Sequence, residues 1–353
     1  MLLPERISPP LPFSEFSEII DVRSPSEFAE DHLPGAINLP VLSDDERHKI
    51  GILNTQSPFE SRRLGATLVT KNIHRHLEKT LSDRPRDYAP LVYCWRGNMR
   101  SNSMAVIMRA IGWRARVIEG GYKAWRKWLI ADLGEQISPS KPELIVLAGL
   151  TGCGKTRLLH ALKSRGAQVL DLEGFAHHKG SILGTSTTGH QPSQKRFESL
   201  LWQAFSNYDP AQPVFTEAES SRIGKIQLPG SLWKRLGEAR VVEVHLPLAE
   251  RAKFLTEDYP HFLENPQQLK NTLNGLRRLR GNEQVDQWHT QIDNRDWSSF
   301  LESILLHHYD LVYRKPGSED SVYQVPEDHL QLERFDDSTF PDGANDLLRR
   351  FGS

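Results

Sequence analysis

Short apolar runs separated by polar, turn-rich stretches set the pattern of this chain. Glu18 to Val22, Ala36 to Leu39, Leu91 to Cys94 and Arg116 to Ile118 have the length and composition of buried strands. So do Leu144 to Ala148, Ala167 to Leu172, Val214 to Glu217 and Arg240 to Leu246. Helical patterns alternate with them: Ser26 to Asp31, stretches within Ser57 to Leu81, about Arg100 to Ile111, the run opened by Gly120-Gly121-Tyr122, and Leu158 to Leu162. That alternation predicts an α/β protein with parallel sheets covered on both faces. After Ala249 the pattern is mostly helical, and little is legible in the acidic, turn-rich Gly317 to Asn345.

The polar stretch Leu133 to Glu143, with two prolines, interrupts the pattern just before the most apolar strand. It predicts two domains, residues 1–135 and 136–353.

Composition narrows the class. The 353 residues carry 44 basic and 45 acidic side chains, a net charge of -1, which excludes a histone-like polycation. A local basic patch is still enough to bind nucleic acid. No uncharged apolar run approaches the roughly 18 residues of a membrane span, and the charged, proline-containing beginning lacks the apolar block of a signal peptide. Two cysteines make neither a disulfide framework nor a zinc cluster. The expectation is a cytoplasmic protein with no membrane partner and no resident metal site, with Mg²⁺ possible as a companion of bound phosphate. Oligomeric state is not legible.

Both cysteines fall in loops with chemical character. In Tyr93-Cys94-Trp95-Arg96-Gly97-Asn98-Met99-Arg100-Ser101 a thiol ends a strand and a helix follows. Loop amides, the helix N-terminus, Arg96 and Arg100 would all stabilise an anion there. Cys94 is therefore a candidate nucleophile or carrier, with Arg96, Gly97 and Arg100 as its cradle. Together with Asp21-Val22-Arg23, His32 to Asn38, Glu119 to Tyr122 and Trp125, this loop resembles the rhodanese family. The resemblance implies that Cys94 holds a sulfur or selenium atom. One departure matters: Arg100 follows Cys94 by six positions, where the family has its basic residue after five. C-x5-R is the spacing of cysteine phosphatases, and Asp21 would be the general acid in that reading.

Gly149-Leu150-Thr151-Gly152-Cys153-Gly154-Lys155-Thr156 fits the phosphate-loop pattern, between an apolar strand and a helix as that motif requires. Gly149, Gly152 and Gly154 would let amides close on phosphate oxygens, Lys155 would reach terminal phosphates, and Thr156 would ligate Mg²⁺ if a metal is used. Asp171, Glu173, Glu217 and Glu219, at or after strand ends, are candidate partners as metal ligands or base. The polar stretches Gly174 to Ser181, with His177 and His178, and Gln191 to Lys195 suggest a substrate loop.

The order of these motifs resembles the bacterial tRNA 2-selenouridine synthase family. The resemblance rests on the Cys94 and phosphate loops, Asn72-Ile73, Asp171 to Gly174, Gln191 to Lys195 and Glu217 to Gly224. It implies a rhodanese-like α/β domain followed by a P-loop NTPase-like parallel-sheet domain with a helical C-terminal part. It also implies a transferase acting on tRNA: the wobble 2-thiouridine of an anticodon stem-loop is S-geranylated from geranyl diphosphate, then converted to 2-selenouridine with selenophosphate. Both donors are substrates, and no tightly bound cofactor is expected. For tRNA contacts the basic candidates are Arg222 with Lys225, Lys234 with Arg235, and Arg277, Arg278 and Arg280. Trp202, Trp233 and Trp288 could stack on a base but are more naturally packing residues. The alternatives are an NTP-dependent sulfurtransferase or kinase without RNA, the C-x5-R phosphatase, and a non-catalytic anion sensor.

Overall fold

The computed structural model describes residues 3–138, 142–178, 190–258, 265–313, 315–319 and 321–352. The chain divides into two compact units. The first comprises Met1–Gln136 with Pro192–Gln203, and the second Ile137–Gln191 with Ala204–Ser353.

The first unit is built on strands β1 (Glu5–Ile7), β2 (Glu18–Asp21), β3 (Ala36–Asn38), β4 (Pro90–Tyr93) and β5 (Arg116–Ile118). They pair in parallel in the order β1-β5-β4-β2-β3. Ile20, Val22, Val92 and Val117 are buried beside Met104 and Met108 of the helix Met99–Ile111. β2 and β4, buried along most of their length, show why these runs are continuous rather than alternating. The helix Pro25–Glu30 starts with a capping box from Ser24 and Glu27 and has proline in its first turn. Helices Asp44–Gln56 and Pro58–Lys79 lie between β3 and β4; the first was not anticipated.

Pro192–Gln203 belongs to this unit although it comes from far downstream. Ser199 Oγ and Tyr122 Oη both donate to Asp31 Oδ2, at 2.9 and 2.7 Å. Trp202 Nε1 donates to Asp132 at 2.8 Å, and its ring packs edge-on to Trp125. Trp202 is thus a core residue.

The second unit has strands β6 (Leu144–Ala148), β7 (Gln168–Leu170), β8 (Val214–Glu217), β9 (Arg222–Ile223), β10 (Ile226–Gln227), β11 (Arg240–His245) and β12 (Asp328–Gln331). Five form a parallel sheet in the order β12-β11-β6-β8-β7, and β9 and β10 form an antiparallel pair. The central strand β6 is the most apolar, as its position demands. The helices after His245 pack a shared core with the sheet that includes Trp288, which is fully buried.

Gly317 to Asn345, in which the sequence showed little, holds β12 and the start of the helix Thr339–Phe351. β12 is an edge strand in which only Leu330 is buried, so it lacks the apolar signature of its neighbours. β1 is likewise a short, exposed edge strand without a sequence signal. Among the described residues no helix is long and apolar enough to cross a membrane.

Candidate functional site

Cys94 follows β4, is buried, and lies 3.3 Å from Ser101 Oγ. The loop that follows is clamped to the turn after β5: Tyr122 N donates to Cys94 O at 2.9 Å and Lys123 N to Trp95 O at 3.0 Å. Gly97 and Gly121 make this contact possible. Both have positive φ, and a Cβ would stand 2.4 Å from Ile118 O at Gly97 and 2.2 Å from Cys94 O at Gly121. From Trp95 to Ser101 no backbone N–H donates to an acceptor among the described residues. Seven successive amides, the last three opening the helix Met99–Ile111, are therefore unspent among the described residues, the kind of group that can receive an anion.

Arg100 Nη1 donates to Glu27 Oε2 at 2.9 Å. Arg96 is exposed and makes no side-chain hydrogen bond or ion pair with the described residues. Asp21 is not placed as a general acid: it is fully buried, and both its oxygens accept from Arg23, at 2.6 to 3.0 Å. The Arg23 guanidinium in turn lies 4.0 Å from the Tyr122 ring centre. Lys195 sits at the rim of the Cys94 loop, its Nζ 5.5 Å from the Trp95 ring centre and 2.7 Å from Glu30 Oε1.

The phosphate loop runs from β6 to the helix Lys155–Lys163. Gly149, Gly152 and Gly154 have positive φ. A Cβ at Gly149 would stand 2.5 Å from Val244 O, and one at Gly154 would stand 2.2 Å from Phe340 Cζ. The amides of Thr151, Gly152, Gly154, Lys155 and Thr156 donate to no acceptor among the described residues. Lys155 Nζ folds back onto Gly149 O at 2.9 Å. Burial opposes its charge, but Cys153, Tyr313, Glu173 and Glu219 outweigh that and hold its pKa above the ordinary lysine value.

The carboxylates after β7 and β8 face this loop unequally. Thr156 Oγ1 donates to Glu173 Oε2 at 3.2 Å, and Glu173 N donates to Glu217 Oε1 at 2.9 Å. Glu217 is 1% exposed and its Oε2 has no partner among the described residues. Burial raises all three glutamates: Glu173 moves up, Glu217, also repelled by Glu173, lies well above the ordinary value, and Glu219, likewise repelled by Glu173, is pushed up to about 8. Asp171 does something else. It caps the helix Leu172–Ala176 through Gly174 N at 2.7 Å and meets His160 Nε2 at 3.2 Å.

Two residues that gave no sequence signal complete this loop. Tyr313 Oη accepts from Gly149 N at 2.8 Å. Arg251, almost fully buried, donates to Thr151 O at 2.8 Å and holds Asp310 with two nitrogens, at 2.6 and 3.0 Å. Glu27 was half legible: its capping box is visible in Ser24 to Glu27, but its pairing with Arg100 spans 73 positions.

The basic candidates separate by environment. Arg222 and Lys225 are exposed on the β9–β10 pair, whose turn is held by Gln191 accepting from Lys225 N at 2.7 Å. Arg278 is exposed. Arg277 is paired with Asp286 at 2.7 Å, and Arg280 donates to His308 Nδ1 at 3.1 Å. Lys234 is exposed, whereas Arg235 is a correction: it is buried and donates to Ile137 O and Pro142 O, so it is closed to RNA. Trp233 is half-buried against Tyr323. Of the suggested substrate loop, His177 is exposed with φ 49° and His178 is half-buried, while Lys179, Gly180 and Ser181 lie outside the described residues.

Comparison with known proteins agrees with this two-part arrangement. Residues 12–127 match the rhodanese-like domain family, and residues 142–284 match the family described as tRNA 2-selenouridine synthase AAA domain. A tRNA 2-selenouridine synthase of Nitrosomonas europaea is 37% identical over 246 residues, covering 68% of this chain and 63% of that protein. That match spans less than two thirds of its relative. The synthases of Alcanivorax borkumensis and Chromohalobacter salexigens are 32% and 31% identical, covering 85% and 87% of this chain and 90% of each relative.

Proposed function

The chain belongs to the tRNA 2-selenouridine synthase family, and from that premise we propose that it is a tRNA-modifying transferase that converts wobble 2-thiouridine to 2-selenouridine through an S-geranyl intermediate. The observation that carries the reading is the pair of anion cradles built from unspent amides, one beside a thiol and one in a phosphate loop.

The phosphate loop takes the diphosphate of geranyl diphosphate. The 2-thio sulfur attacks the allylic carbon, the carbon–oxygen bond breaks, and the leaving diphosphate collects the charge. Lys155 and the amides of Gly152, Gly154 and Thr156 stabilise that charge as it forms. Glu173, Glu217 and Glu219 together with Thr156 are hard oxygen donors, and the unpartnered Glu217 Oε2 and the raised acids are what a divalent cation would relieve. These residues fit Mg²⁺, which when bound would neutralise diphosphate charge.

The Cys94 cradle takes selenophosphate and its selenium. The amides from Trp95 to Ser101 hold the anionic donor, with Arg96 and Arg100 balancing its charge. The selenium of selenophosphate then adds at C2 of the uridine, the carbon–sulfur bond breaks and geranylthiolate leaves, and water cleaves the selenium–phosphorus bond, releasing phosphate and leaving 2-selenouridine. Arg222, Lys225 and Arg278, exposed and basic, are the surface on which tRNA phosphates are met.

The test is nucleoside mass analysis after incubating the full chain with a 2-thiouridine anticodon stem-loop, geranyl diphosphate and selenophosphate. Cys94→Ala should stop at the geranylated nucleoside and Lys155→Ala should leave 2-thiouridine unchanged. A Lys155→Ala protein that geranylates normally sinks the assignment of the phosphate loop. No modified nucleoside from folded wild type, with active assay controls, would shift the reading to an NTP-dependent sulfur carrier.

A further inference from the structure

On the flank of β6 away from β8, two imidazoles and a carboxylate converge. β11 carries Glu243 and His245, which are two positions apart and so share one face of the sheet. β12 pairs with β11 in parallel, and its register sets His329 directly opposite Glu243. His245 Nε2 lies 3.3 Å from His329 Nδ1 and 3.3 Å from Glu243 Oε2. His329 Nδ1 lies 3.6 Å from the same carboxylate oxygen.

Hydrogen bonding alone does not satisfy that triangle. Each ring nitrogen presents either one N–H or one lone pair in its ring plane. If both nitrogens donate to Glu243 Oε2, neither keeps a lone pair for the other across their 3.3 Å contact. If one donates to the other, that donor is spent and one side of the triangle has no proton. A cation at the centre accepts a lone pair from all three atoms at once. The spacing suits it: with ligand bonds of about 2.0–2.2 Å, tetrahedral ligand atoms stand roughly 3.3–3.6 Å apart.

We propose that Glu243, His245 and His329 form a binding site for a divalent transition metal of the zinc class, held by two imidazoles and one carboxylate with the fourth position open to water. The donor set selects this class: nitrogen-rich sites favour zinc and its neighbours over Mg²⁺ or Ca²⁺. The side chains of His245 and His329 are 41% and 56% exposed, so an ion can enter and a water can complete its shell. Glu243, 20% exposed, anchors the inner side. The backbone beneath is firmly placed: Leu332 N donates to His245 O at 2.9 Å, and Arg350 Nη1 to His329 O at 2.9 Å. The site would fasten the weakly apolar edge strand β12 to β11, next to the strand that ends in the phosphate loop. It does not depend on the proposed reaction.

The experiment uses the metal-free full chain and zinc itself. Competition against a chromophoric chelator should show one tight site per chain, and zinc should raise the melting temperature, since an ion that binds only the folded state stabilises it. Glu243→Gln and His329→Gln, each on a half-exposed strand face, should keep the metal-free melting curve while lowering affinity on the order of 100-fold, at least as much as loss of an outer-shell partner. Cobalt substitution should give ligand-field bands without a thiolate charge-transfer band. Absence of stoichiometric binding, unchanged affinity in both variants, or a thiolate band that disappears in Cys94→Ser or Cys153→Ser would overturn the assignment.

Discussion

Arg100 Nη1 and Glu27 Oε2 meet at 2.9 Å, joining the first turn of the helix after the Cys94 loop to the helix after β2. Glu27 also accepts from Ser24 N at 3.1 Å. Burial works against its charge, but Arg100, the Ser24 amide and Arg47 outweigh that and hold its pKa below the ordinary glutamate value. The basic residue at the C-x5-R position is thus held by Glu27, with its charge partly balanced.

That balance predicts a gain. Glu27→Gln should strengthen the protection that inorganic phosphate gives Cys94 against iodoacetamide, by up to about fivefold, the equivalent of a partly exposed ion pair worth about 1 kcal/mol. Arg100→Ala should weaken it. The sign for stability is the reverse: a depressed folded pKa stabilises above the unfolded pKa and is lost as pH falls through the folded value. Acid melting curves of wild type and Glu27→Gln should therefore converge at low pH. A variant that protects Cys94 less well than wild type would show that Glu27 positions Arg100 rather than competing for it.

Gly97→Ala should cost more than an ordinary loop substitution. The position has φ +65°, and its Cβ would lie 2.4 Å from a backbone carbonyl. The expected loss is about 1–3 kcal/mol by urea denaturation, with slower alkylation of Cys94. Gly112→Ala, at φ +107° with nothing within 4 Å of its Cβ, separates backbone strain from steric contact.

Diphosphate binding at the phosphate loop should weaken as pH rises past about 8, the value to which Glu219 is pushed. Below that pH the carboxyl stays protonated; above it a new negative charge faces Lys155 and the incoming anion. For stability the direction is the same. A raised folded pKa in an acid means that stability present below the unfolded pKa is lost as pH rises toward the folded one. Glu219→Gln should flatten both profiles, read by calorimetric titration with diphosphate. An identical pH profile in the variant would assign the effect elsewhere.

Arg251→Ala should destabilise the second unit by about 3–5 kcal/mol, because it leaves Asp310 without its partner in a largely buried pair. It also frees Thr151 O at the rim of the phosphate loop. Arg251→Lys should recover part of the stability but less of the diphosphate affinity, since one ammonium cannot serve both partners.

On the surface, Arg222→Ala and Lys225→Ala should each reduce the magnitude of the salt slope of stem-loop binding by about 0.7–0.9. Arg280→Ala should instead lower the melting temperature, since its guanidinium is committed to His308. Binding curves across a salt series, with melting controls, distinguish the two.

Local sequence was enough for both loops. A glycine pattern between an apolar strand and a helix, and a cysteine at the end of LVYC, are short-range signals, because amides that lie next to one another in the chain converge on one anion. The central strands β4 and β6 were legible for the same kind of reason: burial on both faces leaves an uninterrupted apolar run. What tertiary structure decided lies at long range or at edges. β1 and β12 are half-exposed and carry no apolar run, so only pairing reveals them. Asp171 and Glu173 look alike in sequence, yet one caps a helix and the other faces Thr156. Arg235 looked like its exposed neighbour Lys234, and helical rotation alone buried it. Glu27 with Arg100, Arg251 with Asp310, and His329 beside Glu243 are meetings across scores of residues. A side chain's type is written in the sequence, but its charge state and partner depend on which distant groups the packed chain brings within a few ångströms.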